Sequence, residues 1–282
     1  MSELKYLAEK NILYRQWYLE NPQAVLLLVH GIGAHSARWE FLAKYFLANN
    51  ISSYALELKG FGENQSGWKS TQSKELPGHI DSFKIYYKDI QLLREQIKLE
   101  NSGKKVFLVS ESMGALICFV LSIKIPNLFD GLIFISPAFK SALKFSILEY
   151  LKMYLALLSN QKRLFKVPFT SEMCTQDVAY QQAMDNDARE LRVASVSILI
   201  QILISQIQSI LNVKKLKSPT LFLISGQDEI VDTKAIKKMF HKLSMKDKKI
   251  IEYPEMRHAL SIELEREKVF KDIWCWIENR LR

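Results

Sequence analysis

The chain has 282 residues, 48% of them hydrophobic, which is enough for one large domain with a full core. Its formal net charge of +9 comes from lysines scattered over the whole length with no aromatic-basic motif; this excludes a nucleic-acid reader and fits a solvated surface with weak attraction to anionic lipid. Cys118, Cys174 and Cys275 are odd in number and far apart, excluding a disulfide framework and a metal cluster, so free thiols and no metal or organic cofactor are expected.

The opening, Met1-Ser2-Glu3-Leu4-Lys5, lacks the basic segment and apolar core of about 7 to 15 residues that mark a signal peptide, so a cytoplasmic protein is expected. Short apolar runs then alternate with longer helical patterns, which predicts βα units around a mostly parallel twisted sheet flanked by helices. The predicted strands are Ile12 to Tyr18, Ala24 to Val29, Ile51 to Leu58, Lys105 to Val109, Gly131 to Ile135, Thr220 to Ile224 and Lys249 to Tyr253. Phe83, Tyr86, Ile90, Leu93 and Ile97 recur at three- and four-residue steps and give a helix from Ser82 to Leu99 one buried stripe. The last helix is expected from Ile262 to Leu281, with Glu263, Glu265 and Glu267 suited to its positive end.

The alternation stops between Pro137 and Lys217, where helix follows helix with no strand candidate. Residues 137–217 are therefore expected to be a helical cap insertion between two parts of an α/β core, 1–136 and 218–282. Leu143, Ile147, Leu151, Tyr154 and Leu158 form one apolar face, and Val193, Val196, Ile200, Leu203, Ile204 and Ile207 a broader second one. Faces this apolar need cover from the core, a partner or a substrate. The most apolar stretch, Ile198 to Leu211, is interrupted by Gln201, Ser205, Gln206, Gln208 and Ser209, short of the roughly 18 continuous apolar residues of a membrane span. It is expected to be an amphipathic helix.

Chemistry concentrates in Val109-Ser110-Glu111-Ser112-Met113-Gly114, between the strand from Lys105 and a helix-like run from Ala115. A serine hydroxyl is a poor nucleophile unless it is held clear of the backbone, beside a base, with amide donors aimed at the oxygen that becomes negative. A sharp strand-to-helix turn with small flanking residues meets those needs at Ser112, and the Met113 amide then points from the helix N-terminus toward the oxyanion. A second donor is expected from the loop His30-Gly31-Ile32-Gly33-Ala34-His35-Ser36, with the Ile32 amide the natural candidate. His30 and His35 in that loop are expected to bond to backbone, and His241 to be a surface residue. Gly226-Gln227-Asp228-Glu229 follows a later strand and His258 sits in a loop beyond the last one. Ser112, Asp228, His258 is the order in which α/β-hydrolases carry their triad. Glu229 and Asp232 are rival acids, and Asp232 is better placed to cap a helix beginning near Thr233.

With these motifs in place, the chain is similar to the monoacylglycerol lipase and lysophospholipase branch of the α/β-hydrolase fold, grouped with serine-aminopeptidase-like hydrolases. The resemblance runs over nearly the whole length. It includes the His30-to-His35 loop followed by Arg38-Trp39; Leu58-Lys59-Gly60-Phe61-Gly62 with Ser66-Gly67; the elbow; Ile135-Ser136-Pro137-Ala138; Asn186-Asp187 with Arg192; Gly226-Gln227-Asp228 with Val231-Asp232; and His258. Three places depart from the pattern: Ser110 stands for the first elbow glycine, Lys59 and Phe61 for the usual Arg and His, and Glu111 beside the nucleophile resembles the Gly-Glu-Ser-Ala-Gly elbow of carboxylesterases. Glu111 either brings a carboxylate near the base or bonds to neighbouring backbone.

The resemblance implies a serine hydrolase acting on monoacylglycerols or lysophospholipids through an acyl-enzyme. A leucine- and isoleucine-lined insertion over Ser112 points the same way, because each buried methylene adds about 0.8 kcal/mol. A short-chain carboxylesterase, an acyl thioesterase and a non-catalytic α/β-hydrolase-like binding protein are the alternatives; Ser112 excludes dehalogenase and epoxide hydrolase chemistry, which needs an aspartate there. Weak peripheral membrane contact through the apolar insertion and positive charge is a further expectation. A base that works only when neutral predicts activity falling below about pH 6.5.

Overall fold

Six consecutive apolar residues, Ala24 to Val29, are completely buried, because the strand they form is covered on both faces. Val25, Leu27 and Val29 join one core cluster, and Ala24, Leu26 and Leu28 the other. The computed structural model describes residues 2–65 and 75–281, so Ser66-Gly67 lies outside the described residues. Its strands are β1 (Glu3–Leu7), β2 (Ile12–Trp17), β3 (Ala24–Val29), β4 (Ile51–Leu56), β5 (Lys105–Glu111), β6 (Gly131–Ile135), β7 (Leu164–Lys166), β8 (Val193–Ser195), β9 (Thr220–Ser225) and β10 (Lys248–Tyr253). All but β7 and β8 form one eight-stranded sheet in the order β1-β2-β4-β3-β5-β6-β9-β10, parallel from β4 to β10 and antiparallel at β1 and β2.

The helices are α1 (Glu40–Ala48), α2 (Phe83–Glu100), α3 (Ser112–Lys124), α4 (Ile147–Ser159), α5 (Ser171–Cys174), α6 (Val178–Asn186), α7 (Val196–Asn212), α8 (Thr233–Lys242) and α9 (Arg266–Leu281). Leu42 and Phe46 of α1 and Phe270, Ile273 and Ile277 of α9 cover one face of the sheet. The stripe Phe83, Tyr86, Ile90, Leu93 and Ile97 of α2 joins α3 and α8 over the other. Asp232 caps α8, accepting from the Ala235 amide at 3.1 Å.

Three elements differ from the sequence expectation. β1 was not anticipated, because an edge strand with every residue at least partly exposed shows little apolar signal. The last helix begins at Arg266, after a 3-10 turn at Leu260–Ile262. Glu263, expected at its positive end, is instead buried and accepts from the amides of Gln176 and Arg257. Residues 137–217 are not purely helical, for β7 and β8 pair antiparallel within them; three-residue strands are too short to show a period.

The α7 segment also departs from expectation. Counted through the following turn to Lys215, it is long and apolar enough to cross a membrane, with a mean hydropathy of 1.7, despite its serines and glutamines. In the fold it packs on α3 and α4. Its amphipathicity is partly inverted: Ser197, Ser205 and Ser209 are buried, while Leu203, Ile204, Ile207, Ile210 and Leu211 are exposed.

Candidate active site

β5 runs straight into α3, and the junction is Ser112, whose φ of +56° is in the left-handed region. Such a conformation costs a non-glycine residue about 1–3 kcal/mol and persists only where the surroundings impose it. Gly114 is part of that constraint. A Cβ there would lie 2.4 Å from the His30 carbonyl oxygen and 2.6 Å from that of Val29, so only glycine lets α3 start against the end of β3. The Ser112 carbonyl accepts from the Ala138 amide at 3.2 Å, tying the turn to the chain beyond β6. Ser110 fits as a fully buried side chain with its hydroxyl 3.5 Å from the Ile133 carbonyl.

Asp228 and His258 meet on the same side of the sheet. His258 Nδ1 donates to Asp228 Oδ2 at 2.8 Å, and the other carboxylate oxygen accepts from the amides of Ile230 and Val231, both at 2.9 Å. The carboxylate is thereby fixed in one orientation and holds the imidazole with Nε2 free of the proton. Burial works against the charged imidazole, but the Asp228 charge and hydrogen bond, with Glu111 adding to them, outweigh it and hold the His258 pKa above 6.5. The Ser136 hydroxyl donates to the His258 carbonyl at 2.8 Å and steadies the loop from behind. Glu229 is exposed and outside this arrangement.

The β3 loop is held by its own histidine. His30 Nδ1 donates to the Gly31 carbonyl at 2.9 Å, while its Nε2 accepts from the Leu58 amide at 3.1 Å. Burial pushes its pKa down to about 3, so it stays neutral and structural. Gly33, at φ +75°, faces the Leu191 carbonyl where a Cβ would lie 2.2 Å away, and its own carbonyl accepts from the Leu191 amide at 2.9 Å.

An ionic cluster joins this loop to the insertion. Arg38 makes a bidentate pair with Glu190, both bonds 2.6 Å, and His35 lies 3.3 Å from Asp187 and 3.4 Å from Glu190. His35 was expected to bond backbone; instead it meets these carboxylates. Burial opposes its charge, yet their hydrogen bonds raise its pKa. Burial would likewise raise Glu190, but the Arg38 charge keeps it well below the usual carboxylate range. Glu190 carries no sequence signal beyond its place in the charged run Arg189-Glu190-Leu191-Arg192.

Two cavities meet at Ser112. The larger, about 380 Å³, is walled by Ile32, Met113, Phe145, Tyr154, Leu199 and Leu203 among other apolar groups, mostly from the insertion. The smaller, about 20 Å³, is bounded by Gly31, Ile32, Arg38, Glu111, Ser112 and His258. Ser112 and His258 thus face one small space, with no described hydrogen bond between them. Met113 is the second residue of α3, where first-turn amides have no intrahelical acceptor, and it and Ile32 both border the larger cavity at Ser112.

A family model described as serine aminopeptidase, S33, matches residues 20–265. The chain belongs to the serine aminopeptidase S33 family. It is 25% identical to human monoglyceride lipase over 268 residues, 92% of this chain and 84% of that protein. It is also 25% identical to the phospholipase YtpA of Bacillus subtilis over 259 residues, 90% of this chain and 95% of the relative. The structure of a soluble variant of Saccharomyces cerevisiae monoglyceride lipase in complex with a substrate analogue superposes with a TM-score of 0.85 at 20% identity, covering 99% of this chain and 95% of that one. The fold is that of the α/β-hydrolases.

Within that S33 framework, the departures read from the sequence find local explanations. Lys59 is buried and ion-paired with Asp89 at 2.5 Å, and Phe61 stands edge-on to His30 with ring centres 6.3 Å apart. Glu111 is buried beside His258 and accepts from the Ser261 hydroxyl at 3.1 Å, so it has both a place near the base and a hydrogen-bond partner. Ser136 stands in the sequence only as part of the Ile135-Ser136-Pro137-Ala138 motif with no role given, and Ser261, like Glu190, is not singled out there. Small serines in loops carry no pattern. Among the described residues no group of three or more His, Cys, Asp or Glu side chains is arranged so that it could hold a metal ion, and the three cysteines are free.

Proposed function

We propose that the chain hydrolyses carboxylic esters of single-chain lipids, monoacylglycerols or lysophospholipids, through an acyl-enzyme formed on Ser112. One observation carries this reading: the oriented Asp228–His258 pair and the strained Ser112 turn converge where a 380 Å³ apolar cavity ends. In the first step His258 Nε2 takes the Ser112 hydroxyl proton as Oγ attacks the acyl carbon. The amides of Ile32 and Met113 stabilise the oxyanion, each worth about 3 kcal/mol. His258 then protonates the leaving alcohol oxygen, and the same residue later activates water against the acyl-enzyme.

The insertion, residues 137–217, serves in this reading as a cap over the core formed by 1–136 and 218–282, and supplies most of the acyl-chain wall. Apolar walls in a space of this size suit a chain more than a polar ligand. The cap's outer side has a second role. Ile147, Leu151, Leu155 and Leu158 of α4 and Ile207 and Leu211 of α7 are exposed, and with the positive net charge they suit contact with a lipid surface where substrate resides.

Ser112→Ala should abolish both turnover of p-nitrophenyl esters and labelling by a fluorophosphonate; full residual activity overturns the assignment. Turnover rising from p-nitrophenyl acetate to laurate supports the lipid reading. A steady fall along that series would instead make the protein a short-chain esterase, and preference for acyl thioesters a thioesterase.

A further inference from the structure

The small cavity has the wrong size for an alcohol and the right size for water. At about 20 Å³ it exceeds the roughly 10–15 Å³ that one water needs, and although Ile32, Phe169, Cys174 and Ile230 form much of its wall, the polar side chains of Arg38, Glu111, Ser112 and His258 border it together. Ser112 and His258 form part of that wall, and Glu111 and Arg38 form another part. Arg38 is committed to Glu190 through Nε and Nη2. Glu111 is differently placed. It is 4% exposed, and its described donors come from Ser261 alone, through the hydroxyl at 3.1 and 3.3 Å and the backbone. A carboxylate offers about four acceptor sites, so lone pairs remain on a group that borders the same space as the nucleophile and the base.

We infer that Glu111 is a catalytic residue of the second half-reaction, which holds the hydrolytic water in this small cavity by accepting one of its hydrogen bonds. The inference rests on the acyl-enzyme reading above. Water bound there has one hydrogen on Glu111 and the other aimed at His258 Nε2, with its oxygen toward the acyl carbon on Ser112. His258 takes that second proton as the oxygen attacks, and a C–O bond forms. The tetrahedral intermediate collapses by breaking the bond to Ser112 Oγ, which recovers the proton from His258. The acid leaves and Glu111 ends the step unchanged. Ser261 fixes the carboxylate three residues beyond the base, so nucleophile strand and base loop hold the water between them. The acyl chain occupies the other cavity throughout, and the two half-reactions use different walls of one site.

The decisive measurement is acyl-enzyme decay, followed by intact-protein mass after mixing with p-nitrophenyl butyrate, in wild type, Glu111→Gln and Glu111→Leu. Glu111→Leu should slow decay at least about tenfold, the loss expected when one hydrogen bond to the reacting water is removed. It should lower kcat and KM together and produce a burst of p-nitrophenol, while the fluorophosphonate labelling rate stays within about threefold of wild type. Glu111→Gln keeps an acceptor oxygen and the volume, so it folds as wild type and falls between the two. A merely structural role predicts the opposite split: slower labelling, lower kcat/KM and no accumulated acyl-enzyme. That result, or unchanged decay in Glu111→Gln and Glu111→Leu, overturns the inference. If wild type forms no acyl-enzyme at all, the reading of Ser112 fails instead.

Discussion

Two regions of this molecule are equally apolar and meet different ends. In the sheet, β3 and β4 bury every side chain against other parts of the same chain, as β5 does from Val106 onward, so the fold itself satisfies them. In the insertion, Ala156 is the one buried residue of α4, while Ile147 is 89% and Leu158 71% exposed. Apolar surface left in water is unfavourable by roughly 25 cal/mol per Å², so a chain keeps it only where something outside the fold covers it. The core is specified by folding, whereas under the proposed function the exposed faces of residues 137–217 are shaped for a lipid. Mutations in the two regions should therefore be read out by different experiments.

The largest effect is expected at the proposed Asp228–His258 pair. Asp228→Asn removes the charge that orients and supports His258, and should cost about four orders of magnitude in kcat with KM little changed. A loss under about tenfold would mean that another acid serves His258. Next is the seam between the regions. Glu190→Ala leaves the Arg38 guanidinium buried without its partner, which should cost about 3–5 kcal/mol in urea unfolding. Because Glu190's folded pKa is depressed, its contribution is complete above its ordinary value near 4.5 and is lost as pH falls below that. Wild type should thus lose stability in acid more steeply than the variant. Equal slopes would show that the pair contributes nothing net.

This division also explains what could be read from sequence. Ala24 to Val29 and Gly131 to Ile135 are strands with the expected bounds, because a continuously buried strand advertises itself as an apolar run. Ser112, Asp228 and His258 stand out through their places after strands in a known order, and the structure brings Asp228 to His258 while Ser112 faces the same cavity. The insertion was legible only as apolar and helical. Its β7–β8 ladder joins three-residue strands too short to show a period, and the Glu190 seam and the inverted polarity of α7 depend on contacts with residues over a hundred positions away, such as Ser197 with the Ile80 carbonyl at 2.6 Å. Local periodicity carries no trace of such partners.

Replacing exposed apolar residues of the insertion should separate the regions further. Leu151→Ser with Leu155→Ser should leave urea stability within about 0.5 kcal/mol, the range for surface substitutions, because neither side chain is buried. Sedimentation with vesicles containing phosphatidylglycerol should fall several-fold. Stability dropping by more than about 2 kcal/mol would show that α4 packs more tightly than its exposure implies.

The smallest expected effect is the most selective. His258 must be neutral to accept the serine proton, and the Asp228 carboxylate raises its pKa above 6.5 against the pull of burial. The fraction of neutral base then begins to fall above the pH that an unperturbed imidazole would set, so the acid limb of kcat/KM should lie above pH 6.5, higher than the sequence alone implied. That limb belongs to the core, since the groups that set it are Asp228, Glu111 and Arg38. The Leu151 and Leu155 double variant should alter activity on vesicle-borne substrate without moving the limb. Glu111→Gln removes one of the charges that favour the imidazolium and should move it down. A limb that shifts with the α4 substitutions would mean that the insertion reaches the base, and the two regions would have to be treated as one functional unit.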